Sequence, residues 1–139
     1  MIVLDTNVLS EAVRPTPQQR VLDWLAAQQA ATLFTTTISE AELLYGIASL
    51  PSGRRRSALE ETMRRMLSED FPGRVLPFDR PAAREFAVIA AARRSKGRPI
   101  SAFDAQIASI ARAHGGAVAT RNVSDFEGCG VDIIDPWNA

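Results

Sequence analysis

The sequence holds a single cysteine, Cys129, a single histidine, His114, and a single lysine, Lys96. One thiol cannot close an internal disulfide, and no second thiol is available for a zinc site, so a reducing cytoplasm is the expected setting. Long apolar runs are missing too. The longest, Phe86 to Ala92, covers seven residues and is mostly alanine, far short of the ~20 that a membrane-spanning helix needs. The start, Met1-Ile2-Val3-Leu4-Asp5, lacks a basic stretch and meets an acid before an apolar segment develops, so no secretory signal is expected. Net charge is absent as well. Sixteen Lys+Arg balance sixteen Asp+Glu, which at first reading counts against a nucleic-acid partner.

What is present suits one soluble domain spanning residues 1–139. The chain's 139 residues lie within the roughly 100 to 200 of a typical domain, and a chain near this size buries about 68 to 70% of its unfolded surface without disulfides. No repeat, low-complexity tract or Gly/Ser linker divides it.

Short β-rich runs alternate with helical ones. Ile2-Val3-Leu4 has the unbroken apolar character of a buried parallel strand, and Thr6 to Ala12 is expected to be helical. Thr16, Pro17 and Gln19 form a capping-box pattern opening a second helix to about Gln29. Thr32 to Thr36 is β-branched and aromatic, hence a second strand. Ser39 is expected to cap a helix through Ile47 that Pro51-Ser52-Gly53 interrupts, and Arg54 to about Asp70 is helical again. Val75 to Phe78 makes a third strand, and Asp79 with Pro81 opens a helix to about Ser95. Ser101 caps a helix running to His114, Ala117 to Thr120 is a fourth strand and Val131 to Ile134 a fifth. Such alternation predicts an α/β fold: a mainly parallel sheet of about five strands with helices on both faces.

Ligands of open parallel sheets bind beyond the carboxyl ends of the strands. Asp5 follows the first strand, and Glu42 and Asp104 are expected on the first turns of later helices. Asn122 and Asp125 follow the fourth strand. Right-handed crossovers bring these positions to one edge. Clustered carboxylates repel and raise one another's pKa unless a cation neutralises them. With no His or Cys cluster to bind a softer metal, the donors suit Mg²⁺ or Mn²⁺, whose chemistry activates water and steadies phosphoryl charge.

Each residue also has a purely structural use. Ser39-Glu40-Ala41-Glu42 and Ser101-Ala102-Phe103-Asp104 both fit a capping box, in which the acid ties down a helix start. Asp5, Asn122 and Asp125 are also ordinary turn formers. Two motifs placing an acid near a helix start, plus an acid straight after a buried strand, are harder to explain by capping alone.

The blocks Met1 to Ser10, Ser39 to Leu43 with Gly46, Ser101 to Ala108 and Val118 to Phe126 resemble, in order, the four motif blocks of PIN-domain ribonucleases. The likeness is greatest to VapC toxins of bacterial toxin–antitoxin pairs, including the FitB branch, which the terminal Asp135-Pro136-Trp137 also resembles. The resemblance implies a single PIN-like α/β/α domain and a cytoplasmic Mg²⁺- or Mn²⁺-dependent endoribonuclease. A VapB- or FitA-like antitoxin would block the site and carry the pair onto operator DNA, and the chain would dimerise. It assigns Asp5, Glu42 and Asp104 as the first three acids, with Asp5 and Asp104 as direct metal ligands, and cleavage leaving a 5′-phosphate and a 3′-hydroxyl. Asn122 stands where many family members have Asp, and the sequence leaves open whether Asn122, Asp125 or both complete the site. Thr6, Asn7, Ser39 and Thr120 match polar positions near the family's metal site and have capping or turn uses as well.

Other features read differently. His114 is expected to meet a helix C-terminal dipole. Trp24 and Trp137 are expected to anchor the core or a dimer interface. Cys129, between two glycines, has no activating neighbour in sequence. Arg54-Arg55-Arg56 is equally a solvated helix face or a phosphate contact. Two other functions compete with a nuclease. A PIN-like module could act only by binding its antitoxin, and Asn122 is its sequence argument. A receiver or aspartate-nucleophile phosphatase is disfavoured: Lys96 lies on a helix end, and Asp5-Thr6-Asn7 replaces the Asp-x-Asp of the phosphatases.

Zero net charge hides an uneven distribution. Residues 1–53 carry −3, residues 54–98 carry +6 and residues 99–139 carry −3. The acidic parts supply the expected metal site and the basic middle can face an RNA backbone. Without divalent metal, the acidic edge should bind RNA weakly.

Overall fold

A computed structural model describes all 139 residues. Five strands, β1 (Ile2–Leu4), β2 (Leu33–Thr36), β3 (Val75–Leu76), β4 (Ala117–Ala119) and β5 (Ile133–Ile134), form one sheet in the order β3-β2-β1-β4-β5. Every pairing is parallel, and β1 pairs with β2 through Ile2–Leu33 and with β4 through Val3–Val118. The expected α/β fold with five parallel strands is thus present. The chain leaves β1 for β2 on one side and later returns to β4 on the other. The carboxyl end of β1 is therefore a topological switch point, where a crevice opens in such sheets.

Seven helices cover the sheet: α1 (Thr6–Ala12), α2 (Gln19–Ala27), α3 (Thr37–Ala48), α4 (Arg54–Arg65), α5 (Arg80–Ser95), α6 (Ala102–Ala113) and α7 (Val123–Phe126). Strand side chains alternate between faces, and the two cores follow that alternation. Val3 and Val118 join Ile89 of α5, Ile107 of α6, Phe126 and Cys129 in one cluster. Leu4 and Ala119, one residue on, join Val8, Leu9, Val21, Phe71 and Trp137 on the opposite face. Trp137 is thus a core anchor, as one of its two expected roles required.

Several boundaries differ from the local signals. Thr16 does not cap α2; Gln18, extended at ψ 125°, precedes its first residue and gives no side-chain cap. The helix begins where Val21 can be buried. Strand β3 stops at Leu76 because Pro77 has no N–H to continue a ladder. The segment after Arg65 widens into a π-turn, Met66–Asp70. Asn122 and Asp125 flank and enter α7, a one-turn helix where only a turn was expected.

The largest correction concerns α3. Thr36 leaves β2 extended and its hydroxyl accepts the Ser39 N–H at 3.1 Å, so Thr36 is the cap and Ser39 lies inside the first turn. No loop separates β2 from α3, so the helix starts at the strand end. Glu42 consequently sits in the second turn, not the first, and is not the acid of a capping box. Two other caps match expectation. The Ser101 hydroxyl accepts the Asp104 N–H at 3.2 Å, and the Asp79 carboxylate accepts the Ala82 N–H at 3.1 Å.

Candidate active site

Asp5 is the first residue beyond β1 and is 4% exposed. Its backbone N–H bonds Ala119 O at 2.9 Å, which ties it to the adjacent strand. Its carboxylate accepts three donors: the Thr6 N–H at 2.8 Å on Oδ1, with the Thr120 hydroxyl at 2.7 Å and the Asn7 side-chain amide at 3.2 Å on Oδ2. Asp5 therefore caps α1 and is also fixed to the end of β4. Such donors favour the charged carboxylate. Burial outweighs them, and with the charges of Asp104 and Glu42 nearby it pushes the Asp5 pKa up to about 6.

Asp104, in the first turn of α6, is held above the usual carboxylate range by burial and by the charge of Asp125, while the Ser101 hydroxyl and the Arg93 guanidinium pull it back. Glu42 reaches the same crevice from α3. Thr6 Oγ1 lies 2.8 Å from Glu42 Oε1 and 3.0 Å from Ser39 Oγ. A hydroxyl has one proton, so Thr6 donates to the carboxylate and receives the Ser39 hydroxyl. The charges of Asp104 and Glu42 thus reach Asp5, and that of Asp125 reaches Asp104, while Thr6, Asn7 and Thr120 hydrogen-bond Asp5 or Glu42 and Ser39 meets Thr6.

Asn122 differs from the other candidates. Its backbone N–H donates to Thr120 Oγ1 at 3.0 Å, but its exposed side chain makes no capping bond. The charge that reaches Asp104 belongs to Asp125.

The basic run is split. Arg55 shares a groove of about 400 Å³ with Thr6, Ser10, Arg14 and Glu42. Arg56 is paired with Glu60 at 3.1 Å, and Arg54 is exposed at the helix start.

One buried residue outside the sequence expectations supports the backbone around Asp125. Arg93, 6% exposed, donates through Nη1 to Asp125 O at 3.0 Å and Glu127 O at 2.6 Å, and through Nε to Arg98 O at 2.7 Å. It fastens the segment bearing Asp125 to α5. A signal existed: Arg93 follows Ile89 by four residues on the buried stripe of α5, where an unpaired cation would be costly.

Chemically, the four acids present only oxygen donors, which fit a hard divalent cation. No three His, Cys, Asp or Glu side chains stand close enough to coordinate one ion directly. Bound waters, which Mg²⁺ retains readily, would complete such a shell.

The PIN domain family matches residues 2–127 of the chain. Over 137 residues the chain is 44% identical to the VapC ribonuclease Y4jK of Sinorhizobium fredii, covering 99% of this chain and 98% of the relative. Over 138 residues it is 38% identical to Toxin FitB of Neisseria gonorrhoeae, covering 99% of each. A solved structure of FitAB bound to an IR36 DNA fragment superposes with a TM-score of 0.92 at 39% identity, over 99% of this chain and 96% of the other. A family match across almost every element of the sheet, joined to relatives that align from end to end, establishes that the chain belongs to the PIN-domain family.

Proposed function

We propose that the chain is the toxin of a type II toxin–antitoxin pair and hydrolyses RNA phosphodiester bonds with Mg²⁺ or Mn²⁺. The observation that carries this reading is Asp5, a buried carboxyl pushed up to about 6 beside the charges of Asp104 and Glu42, at the switch point of the sheet. Full-length relatives named as a ribonuclease and a toxin supply the reaction class.

Asp5 and Asp104 would hold the ion directly, with Glu42 and Asp125 completing the acidic edge. Bound there, a divalent cation supplies a lowered pKa for water and positive charge beside the phosphoryl oxygens. The protein's own residues set the geometry. Thr120, Asn7 and the Thr6 N–H aim the Asp5 carboxylate, the Thr6 hydroxyl aims Glu42, and Arg93 holds the backbone at Asp125. Asp125, whose charge reaches Asp104, serves as the fourth acid in preference to Asn122. Arg55, in the groove with Glu42, is the member of the basic run best placed for an RNA phosphate.

The partner would be a VapB- or FitA-like antitoxin that covers the acidic edge and binds operator DNA, extending to this chain the arrangement of FitAB on DNA. A homodimer and a cytoplasmic location belong to the same reading. No helix is long and apolar enough to cross a membrane.

The test is RNA cleavage by the purified, antitoxin-free chain with Mg²⁺, with Mn²⁺ and with EDTA. Cleavage leaving 5′-phosphates, present with either ion and abolished by EDTA, is expected. Intact RNA under every condition, with the antitoxin complex still forming, would support the second reading, a binding-only module. The observation favouring that module is Asn122, with no acid at its position.

A further inference from the structure

Arg121 is the cation nearest in sequence to the Thr120–Asp5 hydrogen bond, and it has no assigned role. Its backbone N–H donates to Asn7 Oδ1 at 3.2 Å, and the amide of the same Asn7 donates to Asp5 Oδ2 at 3.2 Å. The main chain at Arg121 is therefore two hydrogen bonds from the Asp5 carboxylate. Its guanidinium carbon lies 5.2 Å from the centroid of the Trp137 ring, within the range of a cation–π contact.

Trp137 is a fixed support. Its backbone N–H bonds Asp135 Oδ1 at 2.9 Å, Pro136 before it is buried, and β5 pairs with β4, which leads into Thr120. Filling the core does not by itself require an indole. The Trp137 Nε1–H is buried without an acceptor, a cost that Leu or Phe would not carry. Among the aromatic rings, indole holds a cation best.

The charge of Arg121 is also unspent. The ion pairs of the protein use Arg14, Arg56, Arg64, Arg65, Arg98 and Arg112, and no carboxylate meets Arg121, which is exposed. Residues 99–139 contain only two cations, Arg112 and Arg121, and Arg112 is paired with Glu85 at 2.8 Å. An acidic crevice repels a polyanion, so a free guanidinium on a residue whose main chain bonds Asn7 of the site has a clear use. Guanidinium is planar, always charged and matched to two phosphate oxygens at once.

We propose that Arg121, held over Trp137, binds a phosphodiester of the substrate RNA beside the acidic site, and that Trp137 is its positioning residue. This rests on the nuclease reading above. It gives the terminal Asp135-Pro136-Trp137 segment a task in substrate binding as well as in packing.

The test compares the full-length wild-type chain with Arg121→Ala, Arg121→Lys, Trp137→Leu and Trp137→Phe. The readouts are steady-state cleavage and binding of a fluorescein-labelled single-stranded RNA across a salt series. Losing one phosphate contact should raise KM about ten-fold with kcat nearly unchanged, and reduce the slope of log Kd against log salt by about 0.7. Arg121→Lys should keep the slope and recover part of the affinity. Trp137→Leu should reproduce part of the Arg121→Ala loss, and Trp137→Phe, which keeps a weaker cation-binding face, should fall between Trp137→Leu and wild type. Arg121 is exposed, so its alanine variant keeps the test decisive even if Trp137→Leu unfolds. A cleaving wild type with KM and salt slope unchanged in Arg121→Ala would overturn the proposal alone. So would weakening confined to the antitoxin complex, which would make Arg121 a protein contact. A wild type that neither binds nor cleaves RNA would overturn the nuclease reading and this proposal with it.

Discussion

The Thr120 hydroxyl donates to Asp5 Oδ2 at 2.7 Å across 115 residues of sequence. It joins the ends of β1 and β4 and lowers the pKa of a carboxyl that burial raises. Thr120→Val should therefore push Asp5 further up and move the acidic limb of the cleavage pH profile to higher pH; a shift of roughly one pKa unit lowers activity about ten-fold well below pH ~6 and only about two-fold near neutrality. Thr120→Ser keeps the hydroxyl and should restore the profile. Superimposable profiles for the Val variant and wild type would show that the bond does not tune Asp5.

The Asp5 pKa also links stability to pH. In the fold it is about 6, against 3.8 without perturbation, so the native state favours the protonated form. The resulting stabilisation is complete below pH ~4 and is lost as pH rises through about 6, amounting to roughly 3 kcal/mol. Asp5→Asn cannot lose it. In urea melts with EDTA, the variant's stability relative to wild type should improve by about 2–3 kcal/mol between pH 4 and pH 7. A difference independent of pH would contradict the burial cost assigned to Asp5.

The acids should separate by activity. Asp104→Asn and Asp125→Asn are expected to cut RNA cleavage by at least about 100-fold, on the order of 3 kcal/mol in transition-state stabilisation, with unchanged circular dichroism. Asn122→Ala should retain activity within about three-fold, since its side chain makes no capping bond. Full activity in Asp104→Asn would refute the site. The reverse order for Asp125 and Asn122 would transfer the fourth position to Asn122.

Capping supplies a stability test away from the chemistry. Thr36→Ala removes the acceptor of the Ser39 N–H and should destabilise by about 1 kcal/mol. Ser39→Ala leaves that cap intact. Its cost should be smaller, and its effect should appear in activity through Thr6 and Glu42. Equal thermal shifts for the two variants would restore Ser39 as the cap.

Much of this organisation was legible locally. Ile2-Val3-Leu4 is too short and too apolar for anything but a buried strand, and Asp5 must then emerge at its end. Ser101 and Asp79 cap helices as their spacing indicates, because a cap depends on a side chain and a backbone N–H only three residues apart. Ser39 misled because Thr36, three residues earlier, has the same capping chemistry. Only the strand end decided which of the two would serve.

The sequence by itself therefore determined the alternation of elements, the parallel sheet and the acids that follow its strands, since these depend on short-range pattern and backbone chemistry. Tertiary structure decided what no local spacing encodes. The strand order brought Thr120 onto Asp5, the burial of Arg93 tied Asp125 to α5, and the return of the C-terminal segment beside β4 set Trp137 beneath Arg121. Each of these contacts joins residues remote along the chain. Its energy exists only once the sheet has closed the distance and packing has excluded water from the groups that meet.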